Sequence, residues 1–372
     1  MTQIWSVRIY KEDDELSILK LMKLSGIERT SEDWFWEYKN NPFGHLIGVA
    51  EHNGQIVGHM ALIPTLMKIG DKVALGSQAV DLVVHPEFRR QGMFLAIGKF
   101  LIKEAGKEGI DISYGVPNKP AHSGHLKYGW FDVCEVPLLI KPINMNKIVN
   151  FLDKYRMIRF LIRYKISRNA AKFLLQFIFT IISFISKIFN RIEDDDNTRS
   201  VETRAIKSFD DRIDDFWKKI SRDYTIIVIR DKKYLNWRYF KKPNVKYTVL
   251  LAEKNGEILG YIVLRSRNEK NLRVGYIVDV FTSLDKEIVI QSLISQAIEH
   301  FRKENADLII CWMSKNSSSA CVYHKILRYN GFIRFFTRSY PLIARVISSK
   351  LSRTFVGDSK KWYFTMGDSD HI

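Results

Sequence analysis

The sequence predicts an α/β protein (α+β in its strand order) of two similar domains, each a mixed, largely antiparallel sheet flanked by helices. The chain has 372 residues, more than the roughly 250 to 300 that one hydrophobic core usually serves. Apolar residues make up 46% of it and charged residues 27%, which is enough apolar material for two folded domains. An internal repeat then indicates where those domains lie.

The repeat is clearest at a predicted hairpin. Residues 50–62 and 252–264 are identical at seven of thirteen positions, and each copy predicts a strand, an Asn-Gly turn and a second strand. Upstream, a Trp-Glu-Tyr triplet at 36–38 matches a Trp-Arg-Tyr triplet at 237–239. The two stretches therefore predict one structural unit that occurs twice.

Each copy continues with the pattern of a strand–helix–strand crossover. The predicted strand that carries Asp81 corresponds to the predicted strand that carries Asp279 in the other copy. Each is followed by an apolar pattern with helical spacing and then by another strand. Both copies end near a Gly-aromatic pair, at 129–130 and at 331–332. We therefore expect each domain to hold helices, an antiparallel hairpin and a crossover that returns to the same sheet.

A basic segment separates the copies, so the expected divisions are a domain at 1–140, a helical insertion and linker at 141–196, and a domain at 197–372. Residues 141–192 hold eleven basic residues against one acid. Four interpretations stay open for this segment: an amphipathic helix on an anionic membrane surface, a helical hairpin packed on the protein or a partner, a membrane-spanning helix, and a nucleic-acid surface. Its apolar part is shorter than the roughly 20 residues of a spanning helix. Its basic residues alternate with bulky aliphatic residues rather than with exposed stacking aromatics and Gly, so no specific nucleic-acid partner is expected.

Charge and cysteine content indicate the compartment. The net charge of +17 predicts attraction to an anionic molecule. Cys134, Cys311 and Cys321 form no closely spaced pair, which favours a reducing environment. No signal peptide is expected at the start of this sequence. The predicted location is cytoplasmic, with peripheral attachment to the inner face of the membrane left open.

The strongest chemical signal is a turn after the strand that carries Asp81. Pro86 ends that strand, a short basic turn follows, and a helix begins at once. The N–H groups at a helix N-terminus lack partners and carry partial positive charge, so they can hold a diphosphate. An ordinary solvated loop is the alternative. The turn and helix start consist of Arg89, Arg90, Gln91, Gly92, Met93 and Phe94.

This turn resembles motif A of the acetyl-CoA-dependent N-acetyltransferases of the GNAT superfamily. Arg89 and Gly92 fit the motif, whereas Phe94 stands where the family has Gly or Ala. Residues 113–118 and the pair at 129–130 resemble the family's fifth strand, its Asn position and its closing Gly-aromatic pair. The resemblance covers residues 1–140, with 200–372 as a weaker copy, and identifies the chain as a tandem GNAT-like protein.

The resemblance implies which residues bind acetyl-CoA or another acyl-CoA. In this family the fourth and fifth strands splay apart and the thioester lies between them. The backbone of Leu82, Val83 and Val84 is therefore expected beside the pantetheine arm, with one N–H as oxyanion donor. The basic turn would hold the diphosphate, and Asn118 would contact the cofactor at the end of the fifth strand.

Direct attack by an amine needs a base, and the leaving thiolate needs an acid. Asp81 is the predicted base, although its match with Asp279 equally fits a structural role for both. His125 and Tyr128 are the predicted acids, with a surface position as the alternative. His122 and His125 have no third ligand at metal spacing, so no metal is expected.

The second copy lacks the basic turn. Residues 282–287 contain no Gly and place acids where a diphosphate would lie, so the second domain is expected to shape the acceptor side. The predicted function is acyl transfer from acyl-CoA to a primary amine of a small molecule. One alternative is an aminoacyl transferase of the FemABX type, which the predicted diphosphate turn disfavours because a tRNA donor does not need such a turn. The other is a catalytically silent, membrane-associated module with the same fold.

Overall fold

The computed structural model describes residues 4–148 and 201–370, and it confirms the predicted fold class, a mixed sheet flanked by helices. The first half consists of β1 (Ser6–Ile9), α1 (Glu15–Leu24), α2 (Ser31–Trp34), β2 (Leu46–His52), β3 (Gln55–Ile69), β4 (Lys72–Val84), α3 (Met93–Lys107), β5 (Ile112–Gly115), α4 (Lys119–Leu126) and β6 (Phe131–Pro142). A π-helical segment (Phe35–Lys39) continues α2.

The second half repeats this order with two additional elements. It consists of β7 (Glu202–Ile206), α5 (Arg212–Ile220), β8 (Ile226–Val228), α6 (Lys232–Phe240), β9 (Thr248–Lys254), β10 (Glu257–Glu269), β11 (Leu272–Thr282), α7 (Glu287–Lys303), β12 (Leu308–Trp312), α8 (Ser318–Tyr329), β13 (Ile333–Val346) and α9 (Arg353–Gly357). The additional elements are β8 and α9. The predicted hairpins are β2–β3 and β9–β10, and both crossovers pair their strands in parallel.

The strands of both halves form one continuous sheet across the described residues. The first half contributes β1-β2-β3-β4-β5 from one edge, and the second contributes β7-β9-β10-β11-β12 from the other. Each half then closes with a strand of the other: β13 pairs with β5, and β6 pairs with β12. β6 and β13 pair with each other in the middle. The halves thus exchange their closing strands, and the expected boundary at residue 140 falls inside β6.

Two tryptophans, one from each half, contact each other where the halves meet. The indoles of Trp36 and Trp237 stack with centroids 4.9 Å apart and planes at 15°. Each Nε1–H donates to the other residue's carbonyl, at 2.9 and 3.0 Å. Both rings are buried in a hydrophobic core that draws on both halves. Because buried indole N–H groups need acceptors, this reciprocal pair fixes how the two repeats meet.

Close packing on the hairpin fixes the start of α3. Met93, Ile97 and Leu101 recur every four residues and are buried on one helix face. Gly58 of β3 makes room for them, since a Cβ there would lie 2.6 Å from Met93 Sδ. The helix N-terminus is thereby held at one place beside the end of β4.

Only the beginning of the basic segment belongs to the described residues. Lys141 is buried in β6 and its Nζ donates to the Asn330 carbonyl at 2.6 Å. Lys147 pairs with Asp307 at 3.1 Å. These two lysines therefore make contacts within the protein. The expectations for residues 149–192 lie outside the described part of the chain. No helix within 4–148 or 201–370 is long and apolar enough to cross a membrane.

Candidate functional site

The end of β4 is reshaped by a β-bulge at Asp81. His59 of β3 lies opposite Val83, and Ala61 lies opposite Val80, so Asp81 and Leu82 together face one residue of β3. Asp81 has φ of 52°, a left-handed conformation that Asp tolerates better than most residues. Its carbonyl lies 2.8 Å from His59 Nδ1. Bulges of this kind redirect the strand that follows.

Beyond the bulge, β4 and β5 part. Their parallel ladder runs from Gly76 opposite Ile112 to Gln78 opposite Tyr114, while β4 continues to Val84. At this end of the strand Leu82 and Val84 are half-buried and Val83 is buried. The structure therefore brings the three predicted pantetheine contacts to a splayed strand end.

The predicted basic turn is open to solvent. Arg89, Arg90, Gln91 and Gly92 are all exposed, and Arg90 and Gly92 have left-handed φ values of 63° and 78°. Gly92 is the N-cap of α3, and no side chain of the described residues caps that terminus. A Cβ at Gly92 would meet nothing within 4 Å, so its glycine serves the backbone conformation. The uncapped N–H groups and two arginines together favour a bound phosphate.

Phe94, the departure from motif A, packs against α4. Its ring lies edge-on to His125, with centroids 5.2 Å apart. Gly124 makes room for it, because a Cβ there would lie 2.5 Å from the ring. The larger residue is thus accommodated against α4, and the turn that precedes it remains exposed to solvent.

His125 and Tyr128 are held together beside α3. The Tyr128 hydroxyl lies 2.6 Å from His125 Nδ1, and a Cβ at Gly98 would come within 2.7 Å of that hydroxyl. Burial lowers the pKa of His125 to about 4 and raises the pKa of Tyr128. Both groups are therefore neutral at pH 7, and their role as acids stays a prediction.

The buried His125 predicts a loss of stability in acid. Its pKa is about 4 in the folded state and about 6.5 when unfolded, so the unfolded chain binds the proton first as the pH falls. We expect the free energy of unfolding to decline between pH 6.5 and 4, by up to about 3 kcal/mol from this residue. Urea unfolding of the parent and of His125→Gln measures it: the variant should show a shallower decline, and parallel profiles would contradict this.

Asp81 belongs to an ion cluster that the sequence analysis did not assemble. Arg29 pairs with the carboxylates of Asp81 and of Glu37, the latter at 2.5 Å. The Tyr38 hydroxyl donates to Asp81 Oδ2 at 2.5 Å. All these side chains are largely buried. The predicted base therefore lies at the splayed strand end, but with an arginine and a tyrosine as partners.

Glu37 stands out in this cluster because its protonation changes near neutral pH. Burial raises its pKa to about 7, against the opposing effect of Arg29. Burial disfavours the charge of Arg29, yet the Glu37 and Asp81 carboxylates outweigh this and raise its pKa. Glu37 also borders a small cavity with Gln78 and Tyr114, the last pair of the β4–β5 ladder. A buried carboxyl of this kind can take up and release a proton.

The repeat held a signal for this residue. Within the matched triplets, position 37 is Glu where position 238 is Arg. Arg238 donates to the carbonyls of Gly367 and Ser369, at 3.1 and 2.5 Å, and so secures the tail of the second half. This difference in charge between otherwise matched triplets is the sequence signal that distinguishes Glu37 from its counterpart.

In the second half, the corresponding charged cluster is almost completely buried. Asp279 pairs with Arg230 at 3.2 Å and accepts from the hydroxyls of Tyr239 and Tyr261. Arg230 also pairs with Asp368 at 3.0 Å, and the side chains of all three charged residues are at most 1% exposed. This arrangement fits a structural role for Asp279.

Asn118 lies at the end of β5, as predicted, and caps α4. Its side-chain oxygen accepts from the Ala121 N–H at 3.0 Å. It also lines a large cavity that opens toward the second half. Within the described residues, no three His, Cys, Asp or Glu side chains are arranged to hold a metal ion.

Comparison with protein families supplies the identification. Residues 6–131, which contain the hairpin, the bulged strand and the open turn, match the model of the acetyltransferase (GNAT) domain. Residues 6–131 belong to the GNAT acetyltransferase domain family. None of the curated proteins matches the chain in sequence.

The GNAT fold extends over both halves. A GCN5-related N-acetyltransferase from Anabaena variabilis is similar over 92% of this chain and 73% of its own, with a TM-score of 0.63 at 10% identity. A probable N-acyltransferase from Enterococcus faecalis gives 0.61 at 12% identity, over 93% and 73%. N-myristoyltransferase of Saccharomyces cerevisiae with bound myristoyl-CoA gives 0.58 at 14% identity, over 93% and 80%. At these identities the likeness concerns the GNAT fold.

Proposed function

We propose that the chain is an N-acyltransferase that moves an acyl group from acyl-CoA to a primary amine by direct attack. The observation that carries this proposal is the open, uncapped turn at Arg89–Gly92, placed at the end of a bulged and splayed β4. The GNAT family match and the myristoyl-CoA bound by the yeast enzyme support a thioester donor.

The chain's own residues divide the binding of the donor. The N–H groups of the turn and the Arg89 and Arg90 guanidinium groups hold the phosphates. The end of β4, from Leu82 to Val84, lies beside the pantetheine arm, and its backbone N–H groups polarise the thioester carbonyl. Phe94 and His125 close the side of this site at α4.

The transfer forms a C–N bond between the amine and the acyl carbon and breaks the C–S bond, whose electron pair leaves with sulfur. The amine proton goes to a carboxylate of the Arg29 cluster. Glu37 fits this task because its pKa lies near neutrality, while Asp81 accepts from both Arg29 and Tyr38 and holds the cluster at the strand. Tyr128, positioned by His125, supplies the proton to the leaving thiolate.

Thermal unfolding with acyl-CoA tests the donor site. We expect acetyl-CoA or a longer acyl-CoA to raise the Tm of the parent, because a ligand that binds only the folded state stabilises it. Arg89→Glu and Gly92→Asp each place a negative charge at the turn and should remove most of the rise. Arg302→Glu, at an exposed position on α7, is the matched control and should keep it.

The outcomes separate the alternatives. No rise in the parent, or an equal rise in all variants, would contradict the acyl-CoA site and favour the aminoacyl-transferase or the silent-module interpretation. A rise with every acyl-CoA, but no release of thiol with any amine, would leave a binding module with the GNAT fold.

A further inference from the structure

A large cavity lies where the two halves exchange strands. Its volume is about 670 Å³, within the range of small-molecule sites. Pro117 and Asn118, at the end of β5, line it from the first half, and β10, β12 and β13 line it from the second. Ser339, Tyr340 and Pro341 line it and directly follow the shift in the β13–β6 register between Arg334 and Ser339.

The cavity carries an excess of positive charge. Arg265, Arg267, Arg338 and Lys119 line it, against Glu135 and Glu269. Both carboxylates already accept hydrogen bonds, from Ser339 and from Tyr276, and Glu269 lies 3.9 Å from Arg267. Neither Arg265 nor Arg338 forms an ion pair with a carboxylate of the described chain.

An aromatic wall accompanies these cations. The rings of Trp312 and Tyr340 stack with centroids 4.9 Å apart and planes at 24°, and both line the cavity. The Arg338 guanidinium lies 5.4 Å from the centre of the Tyr340 ring. A flat apolar wall beside unpaired guanidinium groups suits a molecule with a ring or alkyl portion and an anionic group.

The tail of the second half lines both the large cavity and the small cavity that holds Glu37. Met366 lines the cavity, while Ser369 and Asp370 line the small cavity that holds Glu37. Asp370 accepts from Gln78 Nε2 at 2.8 Å. Pro117 and Asn118, which line the large cavity, follow β5 at the end where its ladder with β4 stops.

We propose that this cavity binds the acceptor and selects an amine that also carries a carboxylate or phosphate group. Arg265 and Arg338 hold the anionic group, Trp312 and Tyr340 contact the apolar portion, and the amine faces the splay. This inference rests on the proposed acyl transfer for the fate of the amine, but the anion preference itself can be measured without any acyl-CoA.

Calorimetric titration with matched pairs tests the preference. The probes are para-(aminoethyl)benzoate against phenethylamine, and tyramine phosphate against tyramine. We expect the anionic member of at least one pair to bind at least about tenfold more tightly than its neutral match, as charge-assisted hydrogen bonds predict. The pair with the larger ratio distinguishes a carboxylate from a phosphate.

Three variants assign the preference to the cavity. Arg265→Gln and Arg338→Gln should each reduce the ratio to about threefold or less, and Arg302→Gln, at an exposed position outside the cavity, should retain it. Equal affinities within both pairs, tighter binding of the neutral members, or a ratio that both cavity variants keep would overturn the proposal. Since no acyl-CoA is present, these results stand apart from the thermal test of the donor site.

Discussion

Glu37→Gln is expected to lower kcat for acyl transfer by roughly 100- to 10,000-fold, the usual contribution of a positioned general base. Glutamine keeps the size and polarity of the side chain but cannot accept the proton of the amine. The donor turn lies elsewhere, so the acyl-CoA-induced rise in Tm should stay as in the parent. Steady-state kinetics with any accepted amine measures the change.

The pH profile identifies the proton acceptor. A base with a pKa of about 7 acts in its deprotonated form, so kcat of the parent should rise with pH through that value and then level off. Glu37→Gln should lose this limb, and Glu32→Gln, an exposed glutamate in α2, should keep it. If Asp81→Asn removes the limb while Glu37→Gln retains it, Asp81 is the base, as the sequence alone suggested.

The local part of the fold could be predicted from the sequence. The Asn-Gly turns and the alternation of apolar residues depend on neighbours in the chain, and the crossover depends on one helix between two strands. The exchange of β6 and β13 could not be predicted in this way. Both copies end in the same kind of strand, and the choice of partner depends on packing between residues far apart in the chain, of which the stack of Trp36 on Trp237 is one example.

The same division holds for the candidate site. The residues of the turn at 89–92 are contiguous in the chain, so a phosphate site could be predicted there without the structure. Arg29 and Tyr38 reach Asp81 from 52 and 43 positions away. Arg29 precedes α2 and Tyr38 lies in the π-helical segment after it, and only the tertiary fold brings both to one carboxylate. Glu37 was visible as a mismatch in the repeat, but its raised pKa depends on burial, which no spacing rule gives.

Arg230→Met is expected to destabilise the fold by about 3 to 5 kcal/mol, the usual cost of leaving buried charges without a partner. The side chain of Arg230 is completely buried, and it pairs with Asp279 and Asp368, which are almost fully enclosed. Its guanidinium also lies 5.5 Å from the centre of the Phe281 ring. Guanidinium chloride unfolding measures the loss. Adding Asp279→Asn and Asp368→Asn should recover part of it, because amides carry no charge to leave unpaired.

Arg29→Met is the matched control, since Arg29 occupies the corresponding place in the first half. Its side chain is 16% exposed and its partners Glu37 and Asp81 are 7% and 10% exposed, so water can compensate part of the lost pairing. We expect a smaller loss of stability than for Arg230→Met and a larger loss of acyl transfer, because the removed cation organises the proposed base. The contradicting result would be that Arg29→Met loses as much stability as Arg230→Met while its acyl-transfer activity stays unchanged. The Arg29 cluster would then have the same structural role as the Arg230 cluster and no part in catalysis.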